Sequence, residues 1–455
     1  MNSIKFCFFG YVILFTLSFC LNGLSQRITW ISVPEVGGSI SVHDITPDGQ
    51  FLVGEFEHPN GDISAFKWSQ ATGFILLPRF GGNEAKAFGI SDDGSIVVGW
   101  SNDEEYNEIA CRWLADTIFA LGTLGGDNSA ATDISGDGTI IVGEASVFMG
   151  TSSFAFYWTE SGGMQRLDFG ALDGSKANAI SDDWTRIVGY FTPVNEWAHA
   201  CIWDDGIRDS LGTLGGIFSF AFDISSNGQF VVGVSADSNN YSQAFIWDDN
   251  QGFTPLGFID VNNQYSEALG VDNSGKKVVG TASIGFSNNH AFLWTPDSGM
   301  EDLNVKFEAL IPTDMYLRSA KAITPDGRYI TGEAIQMPGY IYYLYILDTE
   351  NPIQITEHDP QLTESMVLEQ NYPNPFNPTT TIRFGLHEPS TISLDIFSIT
   401  GQHVKNLVRD TYPEGIHEVM WDGTDSQNQP VASGVYIYKL TAPKQTLSGK
   451  MVLMK

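Results

Sequence analysis

Carboxylates are the side chains of this sequence best able to do chemistry. They occur in pairs, Asp182-Asp183, Asp204-Asp205 and Asp248-Asp249, and in one dense run, "NDEEYNE" at 102–108. Two carboxylates held a few ångströms apart can divide general acid and base work on a glycosidic bond, or share a cation. Glu105 with Glu144 is the pair that a hydrolytic reading selects. A solvated turn explains such pairs equally simply, and partners for other chemistries are missing. Residues 27–348 contain four histidines, His43, His58, His199 and His290, and no two have metal-site spacing. There is no G-x-S-x-G elbow and no phosphate loop. The expectation is a protein without catalytic residues, metal or cofactor, and therefore not an enzyme.

A second set of residues suits recognition. Tyr106, Phe148, Trp197, Tyr241, Phe286 and Tyr340 stand among Asn, Ser and acidic residues in stretches of variable length. Asn83, Asp127 and Phe218 follow glycines in a second series of connections. Aromatic faces beside amides and carboxylates fit a polysaccharide or an extracellular protein, and function tends to lie where a rigid scaffold displays diverse loops.

The scaffold is written as a repeat. The phrase Ala-Phe-x-Trp or Ala-Cys-x-Trp ends at Trp68, Trp113, Trp158, Trp203, Trp247 and Trp294, a period in the forties. Each unit has four short apolar phrases, and the second ends in glycine in all seven occurrences: "FLVG" 51–54, "IVVG" 96–99, "IIVG" 140–143, "RIVG" 186–189, "FVVG" 230–233, "KVVG" 277–280 and "YITG" 329–332. Phrases rich in Val, Ile, Phe and Trp read as strands. The turn between the first two is nearly constant and in five units carries Asp-Gly or Asn-Gly, whose positive φ suits a tight hairpin. At "SDDWT" 181–185 Trp184 takes the glycine's place, which predicts a strained or reshaped turn. The tryptophans should be core residues, filling the space between splayed sheets.

The last unit, 320–348, lacks a fourth phrase, and an orphan strand, "ITWISV" at 28–33, precedes the first unit. Pairing the two removes two sheet edges. The fold class is therefore all-β: a seven-bladed β-propeller over 27–348, closed by an N-terminal strand. A linker at 349–366 and a small Ig-like β-sandwich at 367–455 follow. In such a meander the loops after second strands share a face with the connections between blades. The recognition residues above then lie together, opposite the uniform turns. An acidic pair in a central pocket would favour hydrolysis; a flat face would favour binding.

Charge and ends set further limits. The net charge is −31, and residues 27–365 hold 15 basic and 46 acidic side chains, against 7 and 8 in 366–455. Nucleic acid is excluded as a partner, since it requires a basic footprint. Residues 1–25, with Lys5 before an apolar run at 6–21 and small Gly23 and Ser25, read as a secretory signal peptide. No later stretch is apolar enough to span a membrane. Cys111 and Cys201 both replace the phenylalanine of the repeat phrase and should be buried thiols, not a disulfide. A monomer is expected.

Two resemblances extend this reading. "HAFLW" 290–294, "LGTLGG" at 121–126 and 211–216, and "ISDDGSIVVG" 90–99 resemble extracellular HAF repeats, which implies an exterior location and propeller-like form. "NYPNPFNPTTTIRF" at 371–384, with "ASGVYIYKLTAPKQTLSGKMVLMK" at 432–455, resembles the type A sorting domain of the type IX secretion system, itself similar to the FlgD-type Ig-like fold. The motif residues are Asn371, Tyr372, Pro373, Asn374, Pro375, Phe376, Asn377 and Pro378. The resemblance implies the type IX export machinery as a partner and release to the exterior or attachment to the outer cell surface. Together these readings give a secreted or cell-surface binding protein. The alternatives are an extracellular glycan-active hydrolase or lyase, and a structural surface-layer component.

Overall fold

The computed structural model describes residues 27–32, 38–148, 152–167, 174–204, 206–285, 288–349, 366–368, 371, 376, 378–386, 389–398, 402–413, 415–427, 429–443 and 446–453. The expected signal peptide and nearly all of the expected linker lie outside them. The chain divides into two compact units, Met1–Pro352 and Ile353–Lys455.

In the first unit the described residues form seven four-stranded antiparallel sheets. Six are consecutive meanders, beginning with Ile40–Ile45, Ala85–Ile90, Gly125–Ile134, Gly174–Ile180, Gly215–Ile224 and Ser266–Val271. We number these blades 1 to 6. The seventh runs Met315–Ile323, Tyr329–Gln336 and Ile341–Asp348, and its fourth strand is Arg27–Ser32 from the other end of the repeat region. That strand pairs antiparallel with Ile341–Asp348, Ile28 opposite Leu347 and Ile31 opposite Leu344. The first strand of each blade contacts that of the next, and that of blade 7 contacts that of blade 1. The sheets close into a ring, as a propeller requires.

The glycine that ends each second phrase lies inside its strand, as Gly143 does in Ile140–Val147, and it has a steric cause. All seven first strands share a register shift just before their last residue, as between Ala131 and Asp133 in blade 3 and between Ala320 and Ala322 in blade 7. Such a bulge pushes a carbonyl toward the neighbouring strand. A Cβ on Gly143 would lie 2.0 Å from the Ala130 carbonyl oxygen, and one on Gly99 1.9 Å from that of Lys86. No side chain fits there.

The turns depart in one respect from the hairpin expected. Gly49, Gly94, Gly138, Gly228 and Gly327 take φ near 70°, but no Asp among the described residues has positive φ. The aspartate caps instead. Asp48 Oδ1 accepts from the Thr46 hydroxyl at 2.7 Å and from the Gln50 amide at 2.9 Å. Asp93 accepts first from the Ser95 amide, and these bonds hold its carboxyl below the usual range. Trp184 keeps the glycine's left-handed conformation, at φ 52°, and leaves its indole exposed.

The repeated aromatics fill the space between sheets. Phe66, Phe156, Phe245 and Phe292 are fully buried, each contributing about 1.5–3 kcal/mol. In blades 2 and 4 Cys111 and Cys201 stand instead, both buried. There the tryptophans are buried most deeply, Trp113 and Trp203 at 1% exposure against 8% for Trp68 and Trp158. Trp247 and Trp294 are half-buried.

The second unit contains a three-stranded sheet, Met366–Leu368, Thr380–Leu386 and Gly415–Trp421, and a four-stranded one, His403–Tyr412, Ser390–Ser398, Gly434–Thr441 and Thr446–Leu453. Their inner residues, including Ile382, Phe384, Leu394, Ile396, Trp421 and Tyr438, form one core. His403–Tyr412 was not expected as a strand; its partly buried Val404 and Leu407 are interrupted by Lys405 and Asn406.

Candidate functional site

Alternate residues of the first strands face the axis, and there the sequence stops repeating. The position two before the end of the strand is His43, Phe88, Thr132, Asn178, Phe222, Leu269 or Lys321, and all seven line an axial cavity of about 430 Å³. Pro47, Asp92, Gly136, Asp182, Ser226 and Pro325 of the uniform turns also line it, so it lies toward that end of the ring.

Three carboxyls are built into its wall. Asp44, Asp133 and Asp223 occupy the bulge in blades 1, 3 and 5, where blades 2, 4, 6 and 7 have Gly89, Ala179, Gly270 and Ala322. Each ties its blade to the next. Asp44 accepts from the amides of Ile45 and Ile90, at 2.7 and 2.9 Å. Asp133 accepts from Ile134 and Ile180, at 2.8 and 2.9 Å, and Asp223 accepts from the Val271 amide at 3.0 Å. Burial pushes Asp44 up to about 6 and Asp223 up to about 7, against the pull of these amides. Asp133 is driven well above the carboxylate range by burial and then by the Asp44 charge.

Asp92 and Asp182 come from turns two blades apart and face each other across Gly136. A Cβ there would be 2.7 Å from an Asp92 oxygen and 2.9 Å from an Asp182 oxygen. Burial, then the Asp92 charge, raises Asp182 to about 6. Asp92 is raised as well, by burial and then by Asp93.

Lys176 and Lys321 line the wall with these acids, and Lys86 stands on the first strand of blade 2; each meets a carboxylate. Lys176 pairs with Glu144 at 3.0 Å, Lys86 with Glu55 at 3.8 Å and Lys321 with Glu333 at 3.9 Å. His43 also contacts Glu55. Burial opposes charge on Glu55, yet His43, Lys86 and Lys321 together hold its carboxyl below the usual range.

An aromatic ladder runs beside these pairs. Phe218, Phe220 and Phe222 point the same way from Gly215–Ile224, as alternate strand residues must. The ring centroids of Phe218 and Phe220 are 5.7 Å apart; those of Phe220 and Phe222 are 6.3 Å apart, with planes 6° from parallel. Tyr190 meets Phe220 edge-on at 4.9 Å. All four rings are half-buried, so one edge of each remains accessible.

The other expected recognition residues spread over the loops. Tyr106, Phe148, Trp197, Tyr241 and Tyr340 are 46–76% exposed. Tyr106 and Tyr340 sit at positive φ, 66° and 50°, an unusual conformation for a bulky residue. Asp127 is exposed; the side chain of half-buried Asn83 accepts from Asn102 Nδ2 at 3.1 Å. Phe286 lies outside the described residues. Glu105 is exposed in its loop, whereas Glu144 is engaged with Lys176. Sequence reasoning reached Phe218 and named Asp182 only as half of a turn pair with Asp183; it missed Phe220, Phe222, the partnership of Asp182 with Asp92, and the wall carboxyls of Asp44, Asp133 and Asp223. The signals were present, in "FSFAF" at 218–222 and in "HDI", "TDI" and "FDI" at every second unit.

In the C-terminal unit, two of the motif residues are structural. Asn371 and Phe376 are 2% exposed. The Asn371 side chain donates to the Thr380 hydroxyl at 2.8 Å, and the Phe376 ring lies 5.5 Å from that of Trp421. Pro378 is exposed. Tyr372, Pro373, Asn374, Pro375 and Asn377 lie outside the described residues.

Residues 373–446 match the FlgD Ig-like domain model. No curated protein matches the chain in sequence. Several solved structures are similar to it. The β-propeller domain of the trilobed protease from Pyrococcus furiosus is 12% identical, with a TM-score of 0.46 over 69% of this chain and 97% of that one. TolB from Acinetobacter baumannii is 12% identical, with a TM-score of 0.40 over 67% of this chain and 64% of that one. PorZ, a surface component of the type IX secretion system of Porphyromonas gingivalis, is 14% identical, with a TM-score of 0.33 over 89% and 68%. The expectation that the chain is not an enzyme is corrected by this comparison. The trilobed protease, a prolyl oligopeptidase of Galerina marginata and a puromycin-hydrolyzing peptidase of Mycobacterium tuberculosis are all among the similar structures. The likeness shows the fold alone, and the fold gives no ground for setting catalysis aside. Among the described residues no helix is long and apolar enough to cross a membrane.

Proposed function

We propose that this is an exported protein, acting outside the cell or on its surface, whose propeller holds a polysaccharide along the axial aromatic ladder. The ladder of Phe218, Phe220 and Phe222, flanked by Tyr190, is the observation that carries this reading. Stacked rings accept the C–H faces of successive sugars, and the neighbouring Lys176–Glu144 pair offers donors and acceptors for hydroxyls. The exposed aromatics Tyr106, Trp197 and Tyr241 would extend the contact over the loop face. The C-terminal Ig-like unit would direct export through the type IX machinery, as the motif at 371–378 implies. Phe220→Ala is the test. Glycan-array and affinity-gel binding should fall at least roughly tenfold, the equivalent of about 1.4 kcal/mol, with the melting temperature held. Unchanged binding would refute the axial assignment.

A second reading, hydrolysis of the bound glycan, is favoured by Asp92 and Asp182 across Gly136. One carboxyl raised to about 6 beside another acid is the arrangement that divides general acid from base. Release of reducing ends by the wild-type protein, abolished in Asp182→Asn, would establish it; no release over the bound glycans would remove it.

A further inference from the structure

The propeller has a second cavity, of about 570 Å³, off the axis at the joint between blades 1 and 7. It shares no lining residue with the axial one. Blade 1 contributes Ser39, Glu57 and His58, and blade 7 contributes Tyr340, Tyr342 and Tyr343. A concave, aromatic-walled volume of this size with a few polar groups is the usual form of a small-molecule site.

The chemistry of the wall narrows the ligand. Three phenol rings and an imidazole present flat apolar surfaces. Glu57 already accepts from the Ser39 hydroxyl at 2.7 Å, and its carboxylate retains lone pairs for further donors. Among the described residues the hydroxyls of Tyr340 and Tyr342 have no hydrogen-bond partner, whereas that of Tyr343 donates to Gln336 at 3.0 Å. Tyr340 is held exposed at φ 50°, a strained conformation of the kind that gathers at ligand sites. Among the described residues no Lys or Arg lines the cavity, and Glu57 would repel an anionic guest.

We propose that this seam cavity binds a single neutral pyranose residue, its C–H face against the tyrosine rings and its hydroxyls bonded to Glu57 and to the hydroxyls of Tyr340 and Tyr342. The site exists only because the ring closes here, and it does not depend on the axial reading. The test uses the full chain with methyl glycosides of glucose, galactose and mannose and the corresponding uronates, followed by saturation-transfer NMR and calorimetry. At least one neutral glycoside should bind saturably, with its uronate weaker by roughly tenfold or more. Tyr340→Ala and Glu57→Gln should each weaken it by roughly tenfold, and Phe220→Ala should leave it unchanged. Both altered side chains are exposed, so thermal melting should not move, and Glu57→Gln keeps the test informative if Tyr340→Ala perturbs its loop. Absence of saturable binding by any neutral glycoside would overturn the proposal. So would binding that survives both substitutions but is lost in Phe220→Ala.

Discussion

The two ends of the propeller obey different rules. At one end every blade turns in nearly the same way, with a capping Ser, Thr or Asp, a glycine near φ 70° in most blades, and buried caps such as Ser135 and Thr324. At the other, the loops vary in length and several carry an exposed aromatic, as those of Tyr106, Trp197 and Tyr340 do. Uniformity marks positions where ring geometry leaves one solution. Diversity marks positions where it leaves the residue free, and there function can be written. The axial cavity blurs this contrast, because Asp92 and Asp182 are turn residues that nevertheless face a cavity.

The largest expected effect breaks the uniform half. Gly143→Ala should destabilise the propeller by about 4 kcal/mol or more, read as a lower denaturant midpoint, because the clash is with backbone. A mild loss would mean that the bulge can relax. Next is Phe156→Ala, which empties a fully buried site between blades and should cost about 3–5 kcal/mol.

The pH dependence sharpens the contrast at the axis. The folded-state values of Asp44, Asp182 and Asp223, about 6, 6 and 7, all lie above the usual carboxylate value of 3.8. The fold therefore favours their protonated forms. Their effect is absent well below the unfolded value, and stability is lost as pH rises from about 4 to about 7. Melting temperature should fall across that window, and Asp182→Asn should flatten part of the fall. A profile identical to the wild type would show that Asp182 titrates normally. The smallest effect is at Trp184, the one turn that keeps a bulky residue at φ 52°. Trp184→Gly should raise stability by about 1 kcal/mol by relieving left-handed strain. Tyr106→Ala, on the variable end, should leave stability within about 0.5 kcal/mol.

Much of this architecture was legible in the chain. The phrase ending in Trp68, Trp113 and their successors marked the repeat, the unpaired "ITWISV" marked the closing strand, and the recurring glycine phrase marked the second strand of each unit. These are local or periodic signals, repeated until chance is excluded. The strand His403–Tyr412 was not, since Lys405 and Asn406 interrupt its apolar residues and hide the alternation.

The sequence by itself determined the repeat, the all-β class and the candidate aromatics, because each follows from spacing and residue type along one segment. Only the tertiary structure decided which residues meet. Asp92 and Asp182 are 90 positions apart, and Glu57 lies far from Tyr340 in the chain. Closing the ring brings each pair to one cavity. Strand periodicity states which way a side chain points, but the partner it finds there depends on the curvature of the whole circle.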